Sequence, residues 1–163
     1  GLIKKALDAS DIISVGSPVA LTAANIRAKF QLALNEVPKA LLFRFGKGGL
    51  KFMVSYADAQ KHSQAQREDA YKNQNSSEAG VNKFAGYEVE AVAGLPENTF
   101  FLCIAKPDVE SNLWLGINST EDNQLQLMKL QANSELYFVK GLFKMDTQIG
   151  FPDQLVIYTT QTA

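Results

Sequence analysis

A chain of 163 residues, 46% of them hydrophobic, has the length for one domain, or for one domain and a small lobe. No apolar run approaches the ~20 residues a bilayer span needs, and a single cysteine excludes a disulfide framework or a multi-cysteine zinc site. The formal net charge of −1 hides a split: residues 1–83 carry 12 basic and 7 acidic side chains, a net of +5, and residues 84–163 carry 4 and 10, a net of −6. Such a split suits two solvated faces, a molecule that packs head to tail, or a basic face toward nucleic acid.

The opening "GLIKKALDASDII" lacks the apolar stretch of a secretory signal and starts with Gly, so it reads as a truncated, processed or tagged, non-secreted chain. In "TAANIRAKFQLALNEV", residues 22–37, Ile26, Phe30, Leu34 and Val37 fall at helical spacing. Thr22 is the expected N-cap, and Pro38 ends the helix because the residue before a proline avoids the α region. "ALLFRF", the link "GKGG" and "LKFMVS" then suggest two strands about a turn. Ser55 and Asp58 form a capping box that opens a second helix, to about Asn73, with only Tyr56, Ala59, Ala70 and Tyr71 to bury. The polar tract that follows makes residues 73–83 the expected mobile link.

From Phe84 the pattern becomes β. "FAGYEVEAV" alternates, with Tyr87, Val89 and Ala91 opposite Glu88 and Glu90. "FFLCIA" is apolar on both faces, as a central strand is. "LWLGI", "QLQLMKLQ", "ELYFVKGLFKM" and "QLVIYTT" follow, and the order predicts an α+β fold with a largely antiparallel sheet. The only tryptophan, Trp114, lies between Leu113 and Leu115 and is expected to be mostly buried.

Chemistry is thinly represented. His62 is the only histidine, set between Lys61 and Ser63 on what should be an exposed helix face, and no GxSxG elbow is present. Cys103, inside "TFFLCIA", reads as a buried, inert thiol. "GKGG" at 46–49 lacks the rest of a phosphate-binding loop. In the pairs Glu68-Asp69 and Glu121-Asp122 adjacent side chains point apart, which makes neither a dyad nor a cation site. Glycosylation patterns at Asn75 and Asn118 carry no weight without a secretory route. Catalytic, cofactor-binding and metal-binding residues are therefore all expected to be none, and the chain not to be an enzyme.

The second half resembles, as an ordered string, the C-terminal region of the major capsid proteins of tailed bacteriophages. The resemblance rests on Gly86-Tyr87-Glu88-Val89, on Gly94-Leu95-Pro96, on Asn112 to Gly116 with Asp122, and on Thr147 to Tyr158. It implies a phage major-capsid-like fold, with a long spine helix packed on a mainly antiparallel sheet and a second small α/β lobe. Residues 20–48 and about 100–163, with spine helix 22–37, would be peripheral-domain-like, and residues of about 49–99 axial-domain-like. Family members carry an N-terminal arm and an extended loop upstream of the spine helix, where this chain has about 20 residues. The implied function is a coat protein of a phage or prophage that self-assembles into an icosahedral shell around DNA. The alternative is a non-catalytic α+β binding module. Implied partners are copies of the chain in hexamers and pentamers, and packaged DNA only non-specifically, with no membrane. The implied place is the virion, assembled in the bacterial host cytoplasm. Given the charge split, self-association should be weak, head to tail and weakened by salt, leaving a mainly monomeric protein.

Overall fold

The fold is seen in a computed structural model that describes residues 1–72, 82–118, 124–129, 137–142 and 144–161. It is α+β. Chain order runs α1 Leu2–Asp8, β1 Ile13–Ser14, α2 Ile26–Glu36, α3 Lys39–Gly49, β2 Leu50–Val54 and α4 Tyr56–Lys72. Strands β3 Lys83–Phe84, β4 Tyr87–Ala91, β5 Thr99–Ile104, β6 Leu113–Asn118 and β7 Gln124–Lys129 follow. The chain ends through β8 Tyr137–Leu142, β9 Lys144–Ile149, a 3₁₀ turn Pro152–Gln154 and β10 Val156–Thr159. The expected mobile link lies, as far as residue 81, outside the described residues, as do Glu121 and Asp122.

Helix α2 matches the expected spacing, with Ile26, Phe30 and Ala33 inward, and ends where Val37 turns extended before Pro38. Its start is different: Asn25 is the N-cap, and the Asn25 Oδ1 accepts from the Thr22 N–H at 2.8 Å. The expected strand over "ALLFRF" is helix α3. Leu41 is buried, with Leu42 and Phe45 half-buried beside it, which is an i, i+1, i+4 helical face rather than an alternating one. Gly46, at φ +53 and ψ −147, breaks that helix in a region L side chains rarely adopt, so the glycine-rich link works as a kink leading directly into β2.

Six strands form one mixed sheet in the order β1-β10-β5-β2-β4-β3, antiparallel except at β1–β10 and β2–β4. Strands β2 and β4, from the 49–99 stretch, thus share a sheet with β5 and β10. All six residues of β5 are buried, and they alternate between two cores. Phe100, Leu102 and Ile104 join the core beneath α2 and α4, with Phe52 and Tyr158. Phe101 and Cys103 join a second core on the opposite face, beneath Ala6 of α1, with Ile149 and Ile157.

The first core is organised around Phe30, which is fully buried. Its ring centroid lies 4.6 Å from Phe52, 5.0 Å from Phe100 and 5.5 Å from Phe84. Edge-to-face and tilted pairs of this kind add to the burial of large rings. Phe100 in turn stacks on Tyr158 at 5.0 Å, and the Tyr158 hydroxyl donates to the Val19 carbonyl at 2.6 Å.

A buried carboxylate fixes the start of α4. Asp58 is fully buried; its Oδ2 accepts from Ser55 Oγ at 2.7 Å and from the Asn98 N–H at 2.8 Å. Oδ1 takes the Lys61 ammonium at 2.8 Å, and the Asp58 N–H donates to Ser55 Oγ at 3.1 Å. The Asp58 N–H bond to Ser55 is the half of the expected capping box seen here, while the carboxylate anchors the turn before β5, where Asn98 holds φ +59.

Outside the sheet, β6 pairs with β9 and β7 with β8, both antiparallel and nested in sequence. The nested order makes a ribbon of two successive two-stranded ladders, β6–β9 at its root and β7–β8 beyond it. Asn112, buried, closes its root: its side chain donates to the Phe151 carbonyl at 2.8 Å and accepts from the Phe151 N–H at 2.6 Å. Lys5 of α1 holds the returning strand, donating to Asp146 Oδ2 and the Thr147 carbonyl, each at 2.6 Å, and to Gln148 Oε1 at 3.2 Å. That hydrogen bond from Lys5, then the Thr147 N–H, holds the Asp146 carboxyl below its ordinary range.

Three outcomes follow from these contacts. Phe30→Ala should lower unfolding free energy by about 3–5 kcal/mol in a urea titration, as large aromatic truncations in cores do. Asp58→Ala, which strands the Asn98 N–H and Lys61, should cost about 2–3 kcal/mol in the same assay. For the latch, a depressed folded pKa means stability present above the usual carboxylate range and lost as pH falls through the lowered value. Lys5→Met should therefore speed amide exchange of β9 at neutral pH, and its difference from wild type should shrink below about pH 3.9.

Candidate functional site

The residues weighed for chemistry fall in separate places. His62, expected on an exposed face, is fully buried. Helix α4 turns Ala59, His62 and Ala65 inward, and the imidazole sits 5.3 Å from the Phe30 ring and 6.3 Å from Phe84. Its Nδ1 lies 3.3 Å from Asn82 Oδ1. The helix offers too few large apolar residues for that face, so the imidazole serves as its aromatic filler. Cys103 is fully buried as expected, and desolvation pushes its thiol up to about 12, which removes the thiolate needed for nucleophilic chemistry.

Gly46 and Gly49 belong to α3 and its kink; a Cβ on Gly49 would stand 3.0 Å from that of Phe45. Glu68 accepts from Gln64 Nε2 along α4 at 3.1 Å. Among the described residues no three His, Cys, Asp or Glu side chains group as metal ligands do, and no helix is long and apolar enough to cross a membrane. Among the described residues, the structure brings none of those weighed for chemistry together.

What it does bring together is exposed apolar surface on the ribbon. Trp114, expected to be mostly buried, is 52% exposed. Its indole N–H donates to the Ser111 carbonyl at 2.6 Å, and the ring rests on Gly150, where a Cβ would come within 3.1 Å of Nε1. The bound N–H sets the ring's orientation while one side of it faces solvent. Opposed residues of a ladder share a face, so Leu113, Leu115, Ile117, Met145, Thr147 and Ile149 form one side of the β6–β9 ladder. Trp114, Gly116, Asn118, Lys144, Asp146 and Gln148 form the other. In the β7–β8 ladder, Leu125 and Leu127 share a face with Val139 and Tyr137.

Leu113 and Ile149 turn into the second core, and beyond that root the side chains of both ladders are largely exposed. A two-stranded ribbon bared on both faces is marginal in water by itself. The sequence carried one sign of this surface: alternating apolar residues in four short strands of which only the root positions can reach a core. Trp114 departs from its expected burial because a large aromatic between two leucines looks like core only until the covering element is known.

No protein-family model and no curated protein matches the sequence. Solved structures do match. A chain from Mycobacterium phage Che8 superposes with a TM-score of 0.69 at 12% identity, over 98% of this chain and 56% of that one. The virus-like particle from Pyrococcus furiosus gives 0.51 at 14% identity, over 95% and 57%. The satellite phage P4 procapsid including size determination (Sid) protein gives 0.50 at 13%, over 91% and 41%. This chain spans about half the length of these matches or less, and its structural neighbours are phage and capsid-related, sharing its fold over most of its length.

Proposed function

We propose that this chain is the core portion of a structural coat protein, the major capsid subunit of a tailed phage or prophage. It would act by association with copies of itself rather than by chemistry. The observation that carries the reading is the superposition on the Mycobacterium phage Che8 chain over 98% of this one, beside a virus-like particle and a procapsid. The fold alone does not name a function. The bare ribbon adds support, because it is a surface that burial against another chain would stabilise.

In this reading the copies form the hexamers and pentamers of an icosahedral shell, assembled in the bacterial host cytoplasm and ending in the virion. Packaged DNA is touched only non-specifically, and no cofactor or metal takes part. Helix α2, which packs against β10 and α4, is the counterpart of the spine helix. Residues 20–48 and about 100–163 take the peripheral role and about 49–99 the axial one, joined through the shared sheet. The runner-up is a non-catalytic binding module, which the same exposed ribbon suits.

Sedimentation and electron microscopy of the protein purified from its native source separate the two. A shell subunit should appear in closed particles of uniform diameter that sediment far ahead of the monomer. Recovery only as a monomer, or in a complex with an unrelated protein, would reject the coat-protein reading.

A further inference from the structure

Building on the reading that this chain assembles with its own copies, we propose that the two-stranded ribbon is the contact arm, meeting the same ribbon of a second copy apolar face to apolar face. Leu115, Ile117, Leu125, Leu127, Val139 and Met145 are each between 57% and 80% exposed. At roughly 100 Å² apiece, the three on each ladder present about 300 Å² of apolar surface, a patch of the size that on a monomer is often functional.

Charge selects the occupant. Among the described residues, the side of the β6–β9 ladder with Leu115 and Ile117 carries no charged side chain, and Lys144 and Asp146 lie opposite. On the β7–β8 ladder, Lys140 is opposite and only Lys129, at the far end, shares the face of Leu127 and Val139. Apart from Lys129, the described residues of these faces offer no charge to recognise an acidic or basic partner, and uncharged faces are what interface centres are made of. A matching surface exists on this chain. Elsewhere among the described residues the large exposed apolar side chains, such as Leu32, Phe43 and Tyr56, stand on separate elements, whereas each ladder of the ribbon sets its own side by side. The contact is therefore apolar burial and not attraction between the +5 and −6 halves, which reverses the expected response to salt.

Leu127→Cys tests this directly, because the one native thiol, Cys103, is buried and unreactive. Under mild oxidation the variant should give a covalent dimer, several-fold faster than Phe43→Cys, whose position on α3 is 94% exposed. Ammonium sulfate should hold or raise that yield, since it strengthens apolar burial. A dimer no faster than the Phe43→Cys control, or a yield that falls as salt rises, would overturn the proposal. Leu125→Cys, at an 80% exposed site on the same face, serves as the second variant should the first fold poorly. The proposal and the coat-protein reading fail differently. Uniform particles from the native protein with no ribbon crosslink would sink only the ribbon contact, whereas a ribbon crosslink without particles would leave the contact standing and sink the shell.

Discussion

Everything in this fold answers to one constraint: β5 is apolar on both faces and must be covered on both. "TFFLCI" sends alternate side chains to opposite sides of the sheet, so neither side can face water. One side takes α2 and α4, through Phe30 and its ring contacts with Phe52 and Phe100. The other takes α1, through Ala6. Strand β10 beside it repeats the division, with Val156 and Tyr158 on the first side and Ile157 on the second. Toward the sheet's far side, β4, which lies between β2 and the edge strand β3, no longer needs two covers, and Glu88 and Glu90 face solvent there, where Lys51 of β2 reaches Glu88 at 3.0 Å and Glu90 at 3.5 Å. Exposed pairs of this kind contribute little beyond keeping that face wet.

The parts readable in advance are those in which periodicity alone decides the outcome. Helix α2 announces itself through Ile26, Phe30 and Val37 and through Pro38, and β5 through an unbroken apolar run; both need no knowledge of their neighbours. The parts misread depend on a partner element. "ALLFRF" is compatible with strand or helix until the cover for Leu41 and Phe45 is known, and tertiary packing chose helix. His62 looked wet because its chain neighbours are polar, yet the aromatic pocket made by Phe30 and Phe84 comes from α2 and β3. Trp114 failed the opposite way, since the ribbon that carries it has no covering layer within the described residues.

The molecule thus divides its apolar residues between two settings. Most of those of the sheet, with the inward faces of the helices, are buried and hold one chain together. Those of the ribbon sit outward on a scaffold whose root is fixed from three sides, by Asn112, by Lys5 and by the packing of Leu113 and Ile149. A fixed root would lose little freedom if an outward face docked, which is the advantage of a braced element over a loose loop.

The Asn112 clasp also has a mechanical consequence. The ribbon's two ends continue into β5 and β10, which are adjacent and antiparallel, so both strands receive a pull from the same end of the sheet. Such a pull draws β5 along β2 across five residue pairs and β10 along β1 across two, loading each ladder along its length. Hydrogen bonds stressed together resist as a group, whereas bonds opened from one end yield singly. A tug on the arm is therefore carried by the sheet as shear, and the clasp at residues 112 and 151 keeps the two strands from being drawn apart before the load reaches them.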